Sequence, residues 1–365
     1  MKPGPYRADQ VGSLLRSKPL KEAREKREKG TISAAELTAV EDTEVKALIK
    51  KQEAIGLEAI TDGEYRRSWW HYDFLSLLTG VELYNTGQGI QFAGVQTKAQ
   101  ALRVIGKLDF PLDHPHLAHF KFLKAHTGRT AKMTIPSPSM LHYRAGRAGI
   151  SEKIYPDMAQ YYADLGRTYH KAIKAFYDAG CRYLQLDDTS LSYFCDPAQI
   201  KMLAARGDDA SKLIKQYGDT LGMALKDRPK DMTITTHTCR GNFRSTFVAS
   251  GGYEPVSDMV FNQIDVDGYF MEWDDERSGG FEPLRFLPKG KKVVLGLVTT
   301  KVGELEARDA IKKRIDAASK YAPLDQLCLS PQCGFASTEE GNALGEGDQW
   351  KKLEMIVGLS KDVWR

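Results

Sequence analysis

Met232-Thr233-Ile234-Thr235-Thr236-His237-Thr238-Cys239-Arg240-Gly241 reads as a short buried strand that ends in reactive side chains, with Gly241 breaking the run. Positions i and i+2 of a strand project from one face, so His237 and Cys239 can reach one metal ion together. Seven more short segments have β character: 8–11, 59–61, 132–135, 183–186, 268–271, 292–297 and 327–329. Helical patterns at 34–55, 157–178, 197–225, 304–320 and 349–361 separate most of them. Eight strands alternating with helices predict an α/β fold, a (β/α)8 TIM barrel, over a single catalytic domain spanning 1–365. That fold usually needs ~250 residues. The surplus has a home in residues 84–129, an excursion expected between the second and third strands. Its histidines His114, His116, His119 and His126 are irregularly spaced, which predicts a surface loop rather than a second metal site. A doubly wound alternative lacks any glycine-rich dinucleotide fingerprint after a strand.

Composition narrows the function classes. The 365 residues are 42% hydrophobic and 27% charged, as in globular proteins with a full core. A net charge of +4, from 52 basic and 48 acidic residues, implies no nucleic-acid partner. The basic run 18–29 is interleaved with Glu and reads as a solvated helix face. No apolar run is long enough for a bilayer and no signal-peptide core is evident, so no membrane partner is expected. Five cysteines, few and odd in number, argue against a disulfide framework and for a cytoplasmic location. Cys181 and Cys328 read as packed, and Cys195 as packed or in a loop.

Catalytic groups of such barrels sit at the C-terminal strand ends. Here those ends carry Gly12-Ser13, Asp62-Gly63-Glu64, Ser137-Pro138-Ser139, Asp187-Asp188, His237 with Cys239, Glu272-Trp273-Asp274-Asp275, Thr299-Thr300-Lys301 and Gln332-Cys333-Gly334. Any one of these could be a cap or turn residue. His237, Cys239 and Cys333 are poor caps, however, and together they are soft metal ligands. Zinc fits them best, with a carboxylate from Glu272 as fourth ligand and Glu276 as its rival. Two thiolates already neutralise the dication, which makes it a poor activator of water and a good receptor for another thiolate. Coordination deprotonates a thiol whose free pKa is about 8.5 while leaving it nucleophilic. The chemistry implied is alkyl transfer to a thiol. A metal-dependent hydrolase on the same barrel would favour His and carboxylate ligands instead. A non-catalytic thiol- or corrinoid-binding module is a further reading.

Val11-Gly12-Ser13, Thr61-Asp62-Gly63-Glu64, Leu184-Gln185-Leu186-Asp187, His237-Thr238-Cys239 and Pro331-Gln332-Cys333-Gly334 occur in an order that resembles the cobalamin-independent methionine synthase family. The likeness is to its catalytic C-terminal half, in short single-domain relatives. It implies zinc as cofactor, held by His237, Cys239, Glu272 and Cys333, and homocysteine as the thiol made into methionine. It places the amino-acid end of homocysteine on Gly12, Ser13, Glu64 and Asp187. An ammonium wants carboxylates, and a carboxylate wants N–H or hydroxyl donors. The donor implied is 5-methyltetrahydrofolate (poly)glutamate. Two features depart from the family: its acid histidine after the seventh strand is replaced by Val298-Thr299-Thr300-Lys301, and its stacking tryptophan after the third is absent. Lys301 is expected to join Glu64 and Asp187 as a catalytic residue and supply the proton. Trp69, Trp70 or Trp273 would replace the stacking ring. A methylcorrinoid donor, or a coenzyme M-like thiol in place of homocysteine, stays open.

Overall fold

The computed structural model describes residues 2–92 and 94–364; the two ends of the domain expected over 1–365, and residue 93 of the excursion, lie outside the described residues. In chain order, α1 (Lys18–Glu28) and α2 (Ala34–Ile55) precede β1 (Ala59–Ile60). α3 (Tyr72–Leu75), β2 (Thr79–Asn85), β3 (Gln91–Phe92), β4 (Val95–Gln96), β5 (Gln100–Asp109) and α4 (Pro115–His126) follow. The chain continues through β6 (Thr130–Pro136), α5 (Met158–Asp178), β7 (Tyr183–Asp188), α6 (Ser190–Tyr193), α7 (Pro197–Ala205) and α8 (Ala210–Leu225). It ends with β8 (Thr233–Thr238), α9 (Glu254–Asn262), β9 (Gly268–Glu272), β10 (Lys292–Val298), α10 (Arg308–Ala318), β11 (Leu327–Pro331) and α11 (Glu346–Val363).

A seven-stranded parallel sheet forms in the order β1-β6-β7-β8-β9-β10-β11, with every strand of β6 to β11 buried almost throughout. Strands buried on both faces are the mark of a parallel sheet wrapped by helices. The curled sheet is consistent with a TIM-barrel-like fold, but the ladder has seven strands and not the eight expected. The segment 8–11 contributes only the parallel bridge Ala8–Leu329, with Asp9 N–H donating to Leu329 O at 3.0 Å. Toward β1 its place in the ladder is taken by side chains. Gln10 Nε2 donates to Ala59 O (3.1 Å), Thr61 Oγ1 donates to Gly12 O (2.7 Å), and Thr61 N–H donates to Gln52 Oε1 (3.0 Å). Backbone groups satisfied this way need no strand pairing.

Other expectations are corrected in detail. The excursion begins at Thr79, where β2 pairs antiparallel with β5, and β3 and β4 form a small hairpin between them. The histidine segment is not a surface loop: Pro115 opens α4, and His114 caps it by accepting the His116 N–H at Nδ1 (3.2 Å). His114 and His116 are buried against Phe74. The helix expected over 197–225 is two helices, because Gly207 turns left-handed (φ +86°) and Asp209 caps a new start. All five cysteines are buried and free. No described helix is long and apolar enough to cross a membrane.

Candidate functional site

Three strand ends build the centre. β8 delivers His237 and continues one residue further, where Cys239 N–H donates to Asp188 O (2.7 Å). β9 ends on Glu272, and Gln332 N–H, donating to Val298 O (2.8 Å), carries the chain past β11 to Cys333. One ligand atom from each of His237, Cys239, Glu272 and Cys333 lies within 4.8 Å of all the others, and all four residues are buried. Cys239 Sγ and Cys333 Sγ are 3.3 Å apart. Both ring nitrogens of His237 and Oε2 of Glu272 have no hydrogen-bond partner. Buried polar atoms left unpaired are costly, and a shared cation would take up one ring nitrogen of His237 and the free oxygen of Glu272. One imidazole, two thiols and a carboxylate in mutual reach fit zinc. The adjoining Cys239 thiol, and then the nearby His237 imidazole, hold the Cys333 thiol well below the usual range against the effect of burial, whereas burial pushes Glu272 up.

The tetrad opens on a cleft lined by Ser13, Glu64, Asp187, His237, Cys239 and Cys333 among others. Gly12 sits at φ +145°, and a Cβ there would stand 2.6 Å from Thr134 Cγ2, so glycine is what lets the chain turn Ser13 into the cleft. Glu64, itself at φ +58°, is anchored by Thr134 Oγ1 (2.9 Å) and Arg67 (3.2 Å), leaving Oε2 free. Burial raises the Glu64 carboxyl against the pull of Arg67 and Arg16. Asp187, which accepts from Gln185 Nε2 (2.7 Å), is pushed up to about 7 by burial. A carboxylate poised near neutrality in a cleft is a common functional signature.

Lys301 is not brought to the cleft. Its Nζ lies 3.1 Å from Asp274 Oδ2. Glu276 lies outside the tetrad, in a short 3-10 turn. Of the three tryptophans considered, Trp69 and Trp70 line the cleft; Trp273 is fully buried elsewhere, its Nε1 donating to Gly280 O (3.1 Å). His71 packs between Trp70 and Tyr72, and His142 bonds Tyr217. Sequence reading missed Arg144, Phe92, Tyr193 and Phe243, which also line the cleft. Phe92 arrives from the β3–β4 hairpin and packs on Phe243 with ring centroids 5.4 Å apart. A lone aromatic in the polar, glycine-rich stretch 87–94 was the one signal available for it.

The family described as the catalytic domain of cobalamin-independent synthase matches residues 7–346. The uncharacterized protein YxjH of Bacillus subtilis is 52% identical over 363 residues, covering 99% of this chain and 95% of its own. A 5-methyltetrahydropteroyltriglutamate–homocysteine methyltransferase of Bacillus velezensis is 23% identical over 335 residues, 90% of this chain and 40% of its own. A solved structure from Listeria monocytogenes, provisionally named a vitamin-B12-independent methionine synthase, superposes with a TM-score of 0.80 at 42% identity and covers 99% of both chains.

Proposed function

This chain belongs to the cobalamin-independent methionine synthase family of methyltransferases, and from that premise we propose that it methylates the thiol of homocysteine, with zinc as cofactor and 5-methyltetrahydrofolate as donor. The observation that carries the reading is a buried His–Cys–Glu–Cys donor set opening on the same cleft as two carboxylates and a serine. Zinc held by His237, Cys239, Glu272 and Cys333 would supply a Lewis acid that keeps an acceptor sulfur ionised at neutral pH. Glu64 and Asp187 receive the ammonium of the amino acid, and Ser13 with its backbone receives the carboxylate. Asp187 ionises fully as the ammonium approaches, which couples binding to its raised pKa. Glu64 is already oriented by Thr134 and Arg67 and needs no rearrangement. Lys301 can serve as a proton source to the departing donor only by leaving Asp274.

A second reading has one observation in its favour. Arg144 is the cationic side chain on the cleft wall, and a coenzyme M-like thiol would bring a sulfonate that needs such a partner. Reduced protein should carry about one zinc per chain, and Cys239→Ser should lose metal and methionine formation together. The assay offers homocysteine or a sulfonate thiol with methyltetrahydrofolate, its polyglutamate or methylcobalamin. Metal retained by Cys239→Ser, or no methylation with any pair, would overturn the proposal. Unchanged folate-dependent turnover in Lys301→Ala would assign the proton to another group.

A further inference from the structure

We propose that Arg277 receives the Glu272 carboxylate when an acceptor thiol replaces it among the metal's ligands, which makes Arg277 a positioning residue for thiol binding. The inference rests on the zinc reading above. Four protein donors would fill the places zinc usually offers, so an acceptor thiol would bind most readily if one of them yielded. The carboxylate is the hardest donor of the four and the least suited to a sulfur-rich ion. Glu272 is fully buried, so a carboxylate released there has no water to turn to and needs a cation or N–H donors at hand.

Both are in place. Oε1 of Glu272 already accepts the backbone N–H of Arg240 at 3.0 Å, a contact that can act as a pivot. Oε2 has no hydrogen-bond partner and lies 3.5 Å from Arg277 Nη2. Closing that gap by roughly 0.7 Å reaches the charge-assisted range. The Arg277 guanidinium is held for this. It lies over the Phe247 ring at 4.6 Å, and Nη2 also donates to Asp274 Oδ1 at 2.9 Å. Lys301 pairs with the other oxygen of Asp274, so Asp274 keeps a cation when Arg277 turns to Glu272. Arg240, the other guanidinium nearby, lies over Tyr253 at 4.3 Å and meets Glu272 through its backbone. Arg277 is thus the side chain placed to take up the free carboxylate.

Cobalt-substituted full-length protein tests this, with its visible bands followed as homocysteine is added. Arg277→Gln should bind one cobalt with the parent's bands, while its homocysteine Kd rises about 10- to 100-fold, the worth of a charged hydrogen bond. Arg277→Lys should recover part of that loss. In a Glu272→Ala background, where no carboxylate is released, Arg277→Gln should leave the Kd unchanged. A parent-like Kd in Arg277→Gln, or an equal loss in the Glu272→Ala background, would overturn the role. Loss of cobalt from both Arg277 variants would make the residue a support of the metal site and overturn it too. If the parent shows no thiolate–cobalt bands, the zinc reading falls with it. That outcome is distinct from failure of Arg277 alone, in which the parent binds cobalt and thiol normally.

Discussion

Gly12 is not among the residues lining the cleft, yet two side chains of the cleft depend on it. At φ +145° with Thr134 Cγ2 2.6 Å from any added Cβ, it has no room for alanine. Thr134 in turn holds Glu64 through Oγ1. Gly12→Ala should therefore disturb Ser13 and Glu64 together and weaken binding of methionine, the product of the proposed reaction, by roughly tenfold or more, given backbone strain of about 1–3 kcal/mol. Calorimetric titration with methionine checks the affinity, and zinc content should stay at the parent level. Metal lost along with affinity would mean that Gly12 supports the whole strand-end layer. At this scale the sequence was informative about ligand type. His237, Cys239 and Cys333 are legible because their residue types do little else at a strand end. The pairing of Lys301 with Asp274 was not legible, because the two lie 27 positions apart in the chain and no local pattern announces an ion pair of that kind.

Helix α2 illustrates what an element can tell about itself. Ser33 Oγ accepts the Glu36 N–H at 3.2 Å, and Glu36 Oε2 accepts the Ser33 N–H at 2.7 Å, a complete capping box at an exposed end. Ser33→Ala should cost about 1 kcal/mol of stability in urea unfolding and leave metal content unchanged. A loss near zero would mean that the first turn is held by packing alone. The helical pattern read over 34–55 matches α2 to the residue, and this cap is the local reason for where it starts. α4 was missed because its cap is a histidine, a residue whose capping role is not a local rule. The strand at 8–11 was misjudged for a different reason. Its pattern is that of a strand, but Gln10, Gln52 and Thr61 offer side-chain partners that replace the ladder.

For the whole molecule, acid is the stress to apply. Burial lowers the pKa of His142 to about 4, whereas an unfolded chain binds that proton near 6.5. The neutral ring is the one the fold accepts, so its contribution is intact above pH ~6.5 and is lost as pH falls toward 4. At pH 5 the loss from this one group is about 2 kcal/mol. His71 and His116, fully buried and also held neutral by burial, add in the same direction. Urea midpoints should fall between pH 7 and pH 5, and His142→Gln should show a shallower fall than the parent. An equal slope would place the acid sensitivity elsewhere. The ring's bond to the Tyr217 hydroxyl (2.8 Å) will cost the variant some stability at both pH values without altering the slope.

The sequence by itself determined the strand-and-helix alternation and three candidate metal ligands, His237, Cys239 and Cys333, with the carboxylate left between Glu272 and Glu276. It could do so because a parallel sheet whose strands are adjacent in chain order brings consecutive strand ends to one rim, so that residues distant in sequence converge without further instruction. Only the tertiary structure decided what lies around that rim: that Phe92 of an inserted hairpin and Arg144 wall the cleft, that Lys301 turns to Asp274, and that Arg277 comes within 3.5 Å of Glu272. Those side chains stand on loops, where periodicity places nothing. Their directions follow from non-local charge and packing partners that exist once the chain has folded.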